Sequence, residues 1–69
     1  MRLYLNGEPQ EREASDIAAL FAIEAREREL PNEGIAIALN GRVVRRKDWA
    51  GTRLSEGDRV EIVRAMQGG

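Results

Sequence analysis

Asn-Gly pairs at positions 6–7 and 40–41 each follow directly on a run of alternating apolar residues, which commits much of this 69-residue chain to two antiparallel hairpins. Both residue types tolerate φ > 0, the geometry of a two-residue turn whose twist matches the strands it joins. In the first run Met1, Leu3 and Leu5 alternate with Arg2, Tyr4 and Asn6. In the second, Ile35, Ile37 and Leu39 alternate with Ala36 and Ala38. A period of two sets one strand face on a core and the other toward water. The first hairpin returns through Glu8 to Glu13, a segment poor in apolar residues whose Pro9 lacks a backbone donor, so it belongs at a sheet edge. The second returns through Arg42, Val43 and Val44.

Between the hairpins the period changes. Ile17, Leu20 and Phe21 stand at i, i+3 and i+4, the stripe of a core-facing helix, with Ser15 offering a capping hydroxyl and Asp16 a negative charge for the positive end of the dipole. Glu24 and Arg28 form an i, i+4 pair in the favourable orientation. Continuing the stripe would call for an apolar residue at 24, so either Glu24 lies at the rim or the buried face rotates toward Ile23. Pro31, Asn32 and Gly34 stop a helix of roughly fifteen residues. After the second hairpin, Arg45 to Leu54 reads as a basic stretch and loop in which Trp49 and Leu54 plug the bottom of the core. Ser55-Glu56-Gly57-Asp58 is a turn before a last strand, Arg59 to Ala65, with Val60 and Ile62 facing inward. The order hairpin, helix, hairpin, loop, strand is an α+β, two-layer domain with four or five strands on one main helix. With the first and last strands parallel at the sheet centre, it is a β-grasp (ubiquitin-like) arrangement. Residues 1–65 form that domain and residues 66–69 a flexible diglycine tail.

Composition removes most chemistry the side chains might do. The chain has no Cys and no His, and this rules out thiol nucleophiles, Ser-His-Asp catalysis, disulfides and the usual zinc ligands. Eleven Lys+Arg against twelve Asp+Glu leave a net charge of -1, so the bulk field gathers neither nucleic acid nor anionic membrane. The acidic residues are scattered, without the spacing of a glycosidase pair or a calcium loop. No run approaches the roughly 20 apolar residues of a spanning helix, and the opening MRLYLNG lacks the apolar region of a signal peptide. The expected location is cytoplasmic, and no bound cofactor or metal is expected.

What remains is the end of the chain. Gly68 and Gly69 follow closely on a predicted central strand, so they project from a rigid body. Without Cβ atoms, two such residues can lie extended in a narrow channel with the terminal carbonyl sterically open. A carboxylate is a poor electrophile until activated, and the chain has no GxxxxGK[ST] or GxGxxG loop to bind a nucleotide, so activation falls to a partner.

The segments ALNGRVV (residues 38–44), RKDW (46–49), LSEGDRVEIV (54–63) and the closing Gly68-Gly69, with the opening MRLYLNGE, together resemble the ThiS sulfur carrier family of thiamine biosynthesis. Arg45, where many relatives place proline, and Glu24, where the family usually has an apolar residue, depart from that pattern. The resemblance implies a carrier and not an enzyme. An E1-like adenylyltransferase of the ThiF/MoeB type would use ATP to adenylate Gly69, and sulfur relayed from a cysteine desulfurase or rhodanese-type donor would displace AMP to leave a thiocarboxylate. A ThiG-type thiazole synthase would receive the sulfur. Met66 and Gln67 would form the stem, and Gly68 would permit close approach in the partner's active site.

Tyr4, Ala36, Ala38, Val63 and Ala65 are expected to combine on the outer sheet face as a weakly apolar docking patch beside the tail. Arg42, Arg45, Arg46 and Lys47 form a basic hairpin region, a solvated face or a dock for an acidic surface, with Arg46 as the candidate contact. Three rival readings share the fold. They are the small subunit of molybdopterin synthase, a non-covalent RNA- or ligand-binding module of the TGS type, and a ubiquitin-like modifier joined to lysines.

Overall fold

The computed structural model describes residues 1–64; Ala65, Met66, Gln67, Gly68 and Gly69 lie outside the described residues. Five strands and one α-helix follow in the order β1 (Arg2–Leu5), β2 (Glu8–Glu11), α1 (Ile17–Arg28), β3 (Ile35–Leu39), β4 (Arg42–Val44) and β5 (Arg59–Arg64), with a 3-10 helix at Arg46–Gly51 before β5. The sheet order is β2-β1-β5-β3-β4. Both hairpins pair antiparallel, Leu5 with Glu8 and Leu39 with Arg42 at their tips. The Asn-Gly turns have φ of 50° and 87° at Asn6 and Gly7, and 51° and 88° at Asn40 and Gly41, so the turn chemistry read from sequence is the one adopted. β1 runs parallel to β5, Leu5 beside Val60, and α1 is the crossover that joins the two halves. This is the α+β, β-grasp architecture, with all five strands in one mixed sheet.

One face of the sheet carries the core. Leu3, Leu5, Ile37, Val60 and Ile62 meet Ile17 and Leu20 of α1, closed below by Trp49 and Leu54. A fully buried Ile or Leu contributes about 2 kcal/mol, so the two helix residues alone anchor α1 firmly. The indole N–H of Trp49 donates to the Val44 carbonyl at 2.8 Å, which keeps its polar atom satisfied under the core.

Five local expectations are corrected. The helix is capped by Asp16, whose carboxylate accepts from the Ala19 amide at 2.8 Å, while Ser15 stays exposed; both residues suit the position, and the chain enters one residue later than expected. The helix is 12 residues long and ends at Glu29, which takes the left-handed conformation (φ 56°) before Pro31 is reached. β2 stops at Glu11, and the stretch expected as plain loop after Arg45 contains the 3-10 helix. Glu24 is neither at a rim nor displaced by Ile23. It is 1% exposed, with the Arg12 Nε 2.7 Å from one carboxylate oxygen and the Arg28 Nε 3.1 Å from the other. Arg12 leaves the end of β2 and swings beneath the helix, so the charge expected at the surface is buried with a cation on each side. Among the described residues, Glu24 Oε1 has no hydrogen-bond partner, because the Arg28 contact is close but not aligned for one.

Candidate functional site

Because the chemistry expected of this chain lies beyond residue 64, the described part of the site is the strand that leads to it and the surface around that strand. β5 is the central strand. The alternation of Val60 and Ile62 with Arg59, Glu61 and Val63 puts two side chains into the core and three on the outer face. On one flank β3 pairs along its whole length, from Leu39 opposite Val60 to Ile35 opposite Arg64. On the other, β1 reaches only from Tyr4 to Leu5, opposite Arg59 and Val60.

Side chains from the two hairpin turns complete what the shorter strands leave open. Asn40 accepts from the Arg59 amide through Oδ1 at 2.9 Å and donates to Asp58 at 3.1 Å, which secures the start of β5. Asn6 accepts from the Ile62 amide through Oδ1 at 2.9 Å and donates through Nδ2 to the Ile62 carbonyl at 3.2 Å. The Asn6 amide takes the place of the next β1 residue just where β1 turns away. The preceding turn is tied down as well, since the Gly57 amide donates to the Arg2 carbonyl at 2.8 Å and Asp58 accepts from the Ser55 amide at 2.7 Å.

The outer face follows from the register. Ala36 lies opposite Val63, and Ala38 lies between Glu61 and Val43, so Ala36, Ala38 and Val63 are neighbours. Val43 extends the patch; it is 76% exposed and Val63 is 54% exposed. Sequence reading passed over Val43, although its alternation with the inward Val44 was the available signal. Tyr4, 37% exposed, shares the face but stands beside Arg59, and together with Gly7, Gly41 and Glu61 it lines a shallow depression between the two turns. Arg59 and Glu61 therefore separate it from the alanines. Arg46 is on the other side of the sheet: its guanidinium lies 4.6 Å from the Trp49 ring centroid and 5.4 Å from that of Phe21, stacked against the helix layer. Its cation belongs to the core's lid and not to the apolar patch. Ala65, Met66, Gln67, Gly68 and Gly69, the rest of the expected site, are outside the described residues.

The described outer face is thus a weakly apolar strip bordered by Arg59 and Glu61. Among the described residues there is no cluster of three or more His, Cys, Asp or Glu placed to hold a metal, and no helix long and apolar enough to cross a membrane.

Comparison with known proteins gives two consistent results. The family model described as "ThiS family" matches residues 3–69, nearly the full chain. A crystal structure of the thiamine biosynthesis protein ThiS from Geobacter metallireducens superposes with a TM-score of 0.77 at 28% identity, covering 100% of both chains. A solution structure of a thiamine biosynthesis protein from the same organism gives 0.72 at 27% identity, covering 100% of this chain and 88% of the other. No curated protein sequence matches.

Proposed function

The chain belongs to the ThiS family, and from that premise we propose that it is a sulfur carrier protein of thiamine biosynthesis, a cosubstrate and not an enzyme. Its terminal Gly69 carboxylate is adenylated by an E1-like partner of the ThiF/MoeB type, which uses ATP and releases pyrophosphate. The outer sulfur of a persulfide on a cysteine desulfurase or rhodanese-type donor then attacks the acyl-adenylate and displaces AMP, forming an acyl disulfide, and a thiol reductant cleaves its S–S bond to leave the thiocarboxylate. A ThiG-type thiazole synthase accepts that sulfur. The observation that carries the reading is the family match running through to residue 69, which includes the diglycine, on a chain without Cys or His of its own. Gly68 and Gly69 allow an extended fit in a partner's channel, with Met66 and Gln67 as the stem. The patch of Ala36, Ala38, Val43 and Val63 supports docking, because an exposed apolar sheet surface is otherwise an association hazard.

The test is reconstitution with the adenylating partner, ATP and a sulfur donor. Intact mass is expected to rise by about 16 Da as one oxygen is replaced by sulfur, a shift shared with methionine oxidation. A thiol-specific label must therefore map to the C-terminal fragment, and in a chain without cysteine no other group should take it. Deleting Gly69 should abolish both signals; labelling that survives the deletion refutes the reading. Capture of the large molybdopterin synthase subunit with no thiazole synthase would move the chain to the molybdenum-cofactor branch.

A further inference from the structure

A two-residue hairpin turn asks of position 6 only a positive φ, which glycine supplies as well as asparagine. Asn6 does more than the turn requires. Its side chain closes a two-bond ring with the amide and carbonyl of Ile62, 56 residues away, while its own amide donates to the Val60 carbonyl at 2.9 Å. Past Ile62 no strand of the described residues continues on that flank, and Arg64 is paired through β3 alone. Among the described residues, Asn6 therefore makes the last hydrogen bonds to β5 on the β1 side.

We propose that Asn6 is a positioning residue that aims the C-terminal segment, fixing the direction in which the chain leaves β5 toward its terminal glycine. The inference rests on the sulfur-carrier reading for its consequence, though not for its geometry. A strand held on both flanks up to Ile62 has a fixed exit direction at Val63 and Arg64, so a carrier docked on its partner has less search to make in bringing its carboxylate into place. Freed on one side, β5 is a hinge at its exit end. Docking is unchanged, but fewer docked carriers have the reacting group in place, and the loss falls on turnover.

Asn40 supplies the control, because it also makes two side-chain hydrogen bonds, one to the Arg59 amide and one to the Asp58 carboxylate, at the opposite end of the same strand. Asn6→Gly and Asn40→Gly both keep their turns and both remove two side-chain bonds, so both should melt below wild type. Adenylation by the E1-like partner is followed as pyrophosphate release with the full chain as substrate. Asn6→Gly is expected to lower kcat about tenfold with KM for the carrier within about twofold of wild type, and Asn40→Gly to leave both within about twofold. Asn6→Asp keeps the acceptor for the Ile62 amide but sets a carboxylate oxygen against the Ile62 carbonyl, and should behave like Asn6→Gly. Residual dipolar couplings of the Val63 and Arg64 amides should change in Asn6→Gly and not in Asn40→Gly. Equal losses of kcat in the two glycine variants, or wild-type turnover and couplings in Asn6→Gly, overturn the proposal. If the wild-type chain is not adenylated at all, the carrier reading falls, while couplings altered only in Asn6→Gly still uphold the aiming role.

Discussion

The Arg12–Glu24–Arg28 cluster yields the most discriminating prediction, because the two cations are not equivalent. Glu24 is 1% exposed and its one aligned hydrogen bond comes from Arg12 at 2.7 Å. The Arg28 contact, at 3.1 Å without hydrogen-bond alignment, comes from a side chain 46% exposed. Arg12→Met keeps the apolar stem and deletes the charge, leaving a buried carboxylate with one poorly aligned cation. Removing one partner of a buried pair costs about 3–5 kcal/mol; with Arg28 still present we expect the lower end, about 3 kcal/mol. For a domain this size each kcal/mol moves the midpoint by about 4–8 °C, so the variant should melt at least about 12 °C below wild type. Arg28→Ala, a half-exposed and screened pair, should cost about 0.5 kcal/mol. Glu24→Leu removes the buried charge itself and frees both arginines to reach water, so it should be neutral or stabilising, and the double variant Arg12→Met/Glu24→Leu should return close to wild type. Urea unfolding followed by the single buried Trp49, with thermal melts by circular dichroism, measures all four. Stability of Arg12→Met within about 0.5 kcal/mol of wild type would show that the carboxylate does not depend on Arg12, and Glu24→Leu costing as much as Arg12→Met would show that loss of the pair and not a stranded charge sets the cost; either refutes the reasoning.

Three further outcomes are expected. Asp16→Ala should destabilise by about 1 kcal/mol through loss of the cap, whereas Ser15→Ala should stay within about 0.5 kcal/mol of wild type, both read from urea midpoints. Glu29→Gly should stabilise by up to about 1 kcal/mol, because it relieves a left-handed non-glycine residue and removes a negative charge from the negative end of the dipole; a lowered melting temperature would contradict this. Arg46→Ala should cost about 0.5–1 kcal/mol and change Trp49 fluorescence, as expected of a cation stacked on the core's lid, while leaving the rate of tail adenylation unaltered.

The parts of the fold legible in the sequence are those fixed by local pattern. The turns at Asn6-Gly7 and Asn40-Gly41, the alternation in β1, β3 and β5 and the helical stripe at Ile17 and Leu20 each depend on neighbours a few residues away, and together they leave little choice of topology. Glu24 was illegible because its burial depends on Arg12, which folds in from another element. The reach of Asn6 to Ile62 was hidden for the same reason, behind a turn signal that fully accounted for the residue type. Asp16 and Ser15 are adjacent and equally suited to capping, so a one-residue difference in chain entry decided between them. In the candidate site, strand register was the missing quantity for the sheet: it groups Ala36, Ala38 and Val63 and sets Tyr4 apart behind Arg59 and Glu61, while the 3-10 helix carries Arg46 onto Trp49.

Placing the last strand in the middle of the sheet orders events during synthesis. β1 and β3 both wait for β5, so a nascent chain that stops short of residue 59 has two separate hairpins and a helix with no shared floor. Long-range pairing of this kind must close the largest loop before it is rewarded. A chain cut before residue 59 therefore lacks the strand that joins its two hairpins, and it should be cleaved by proteases faster than the folded protein.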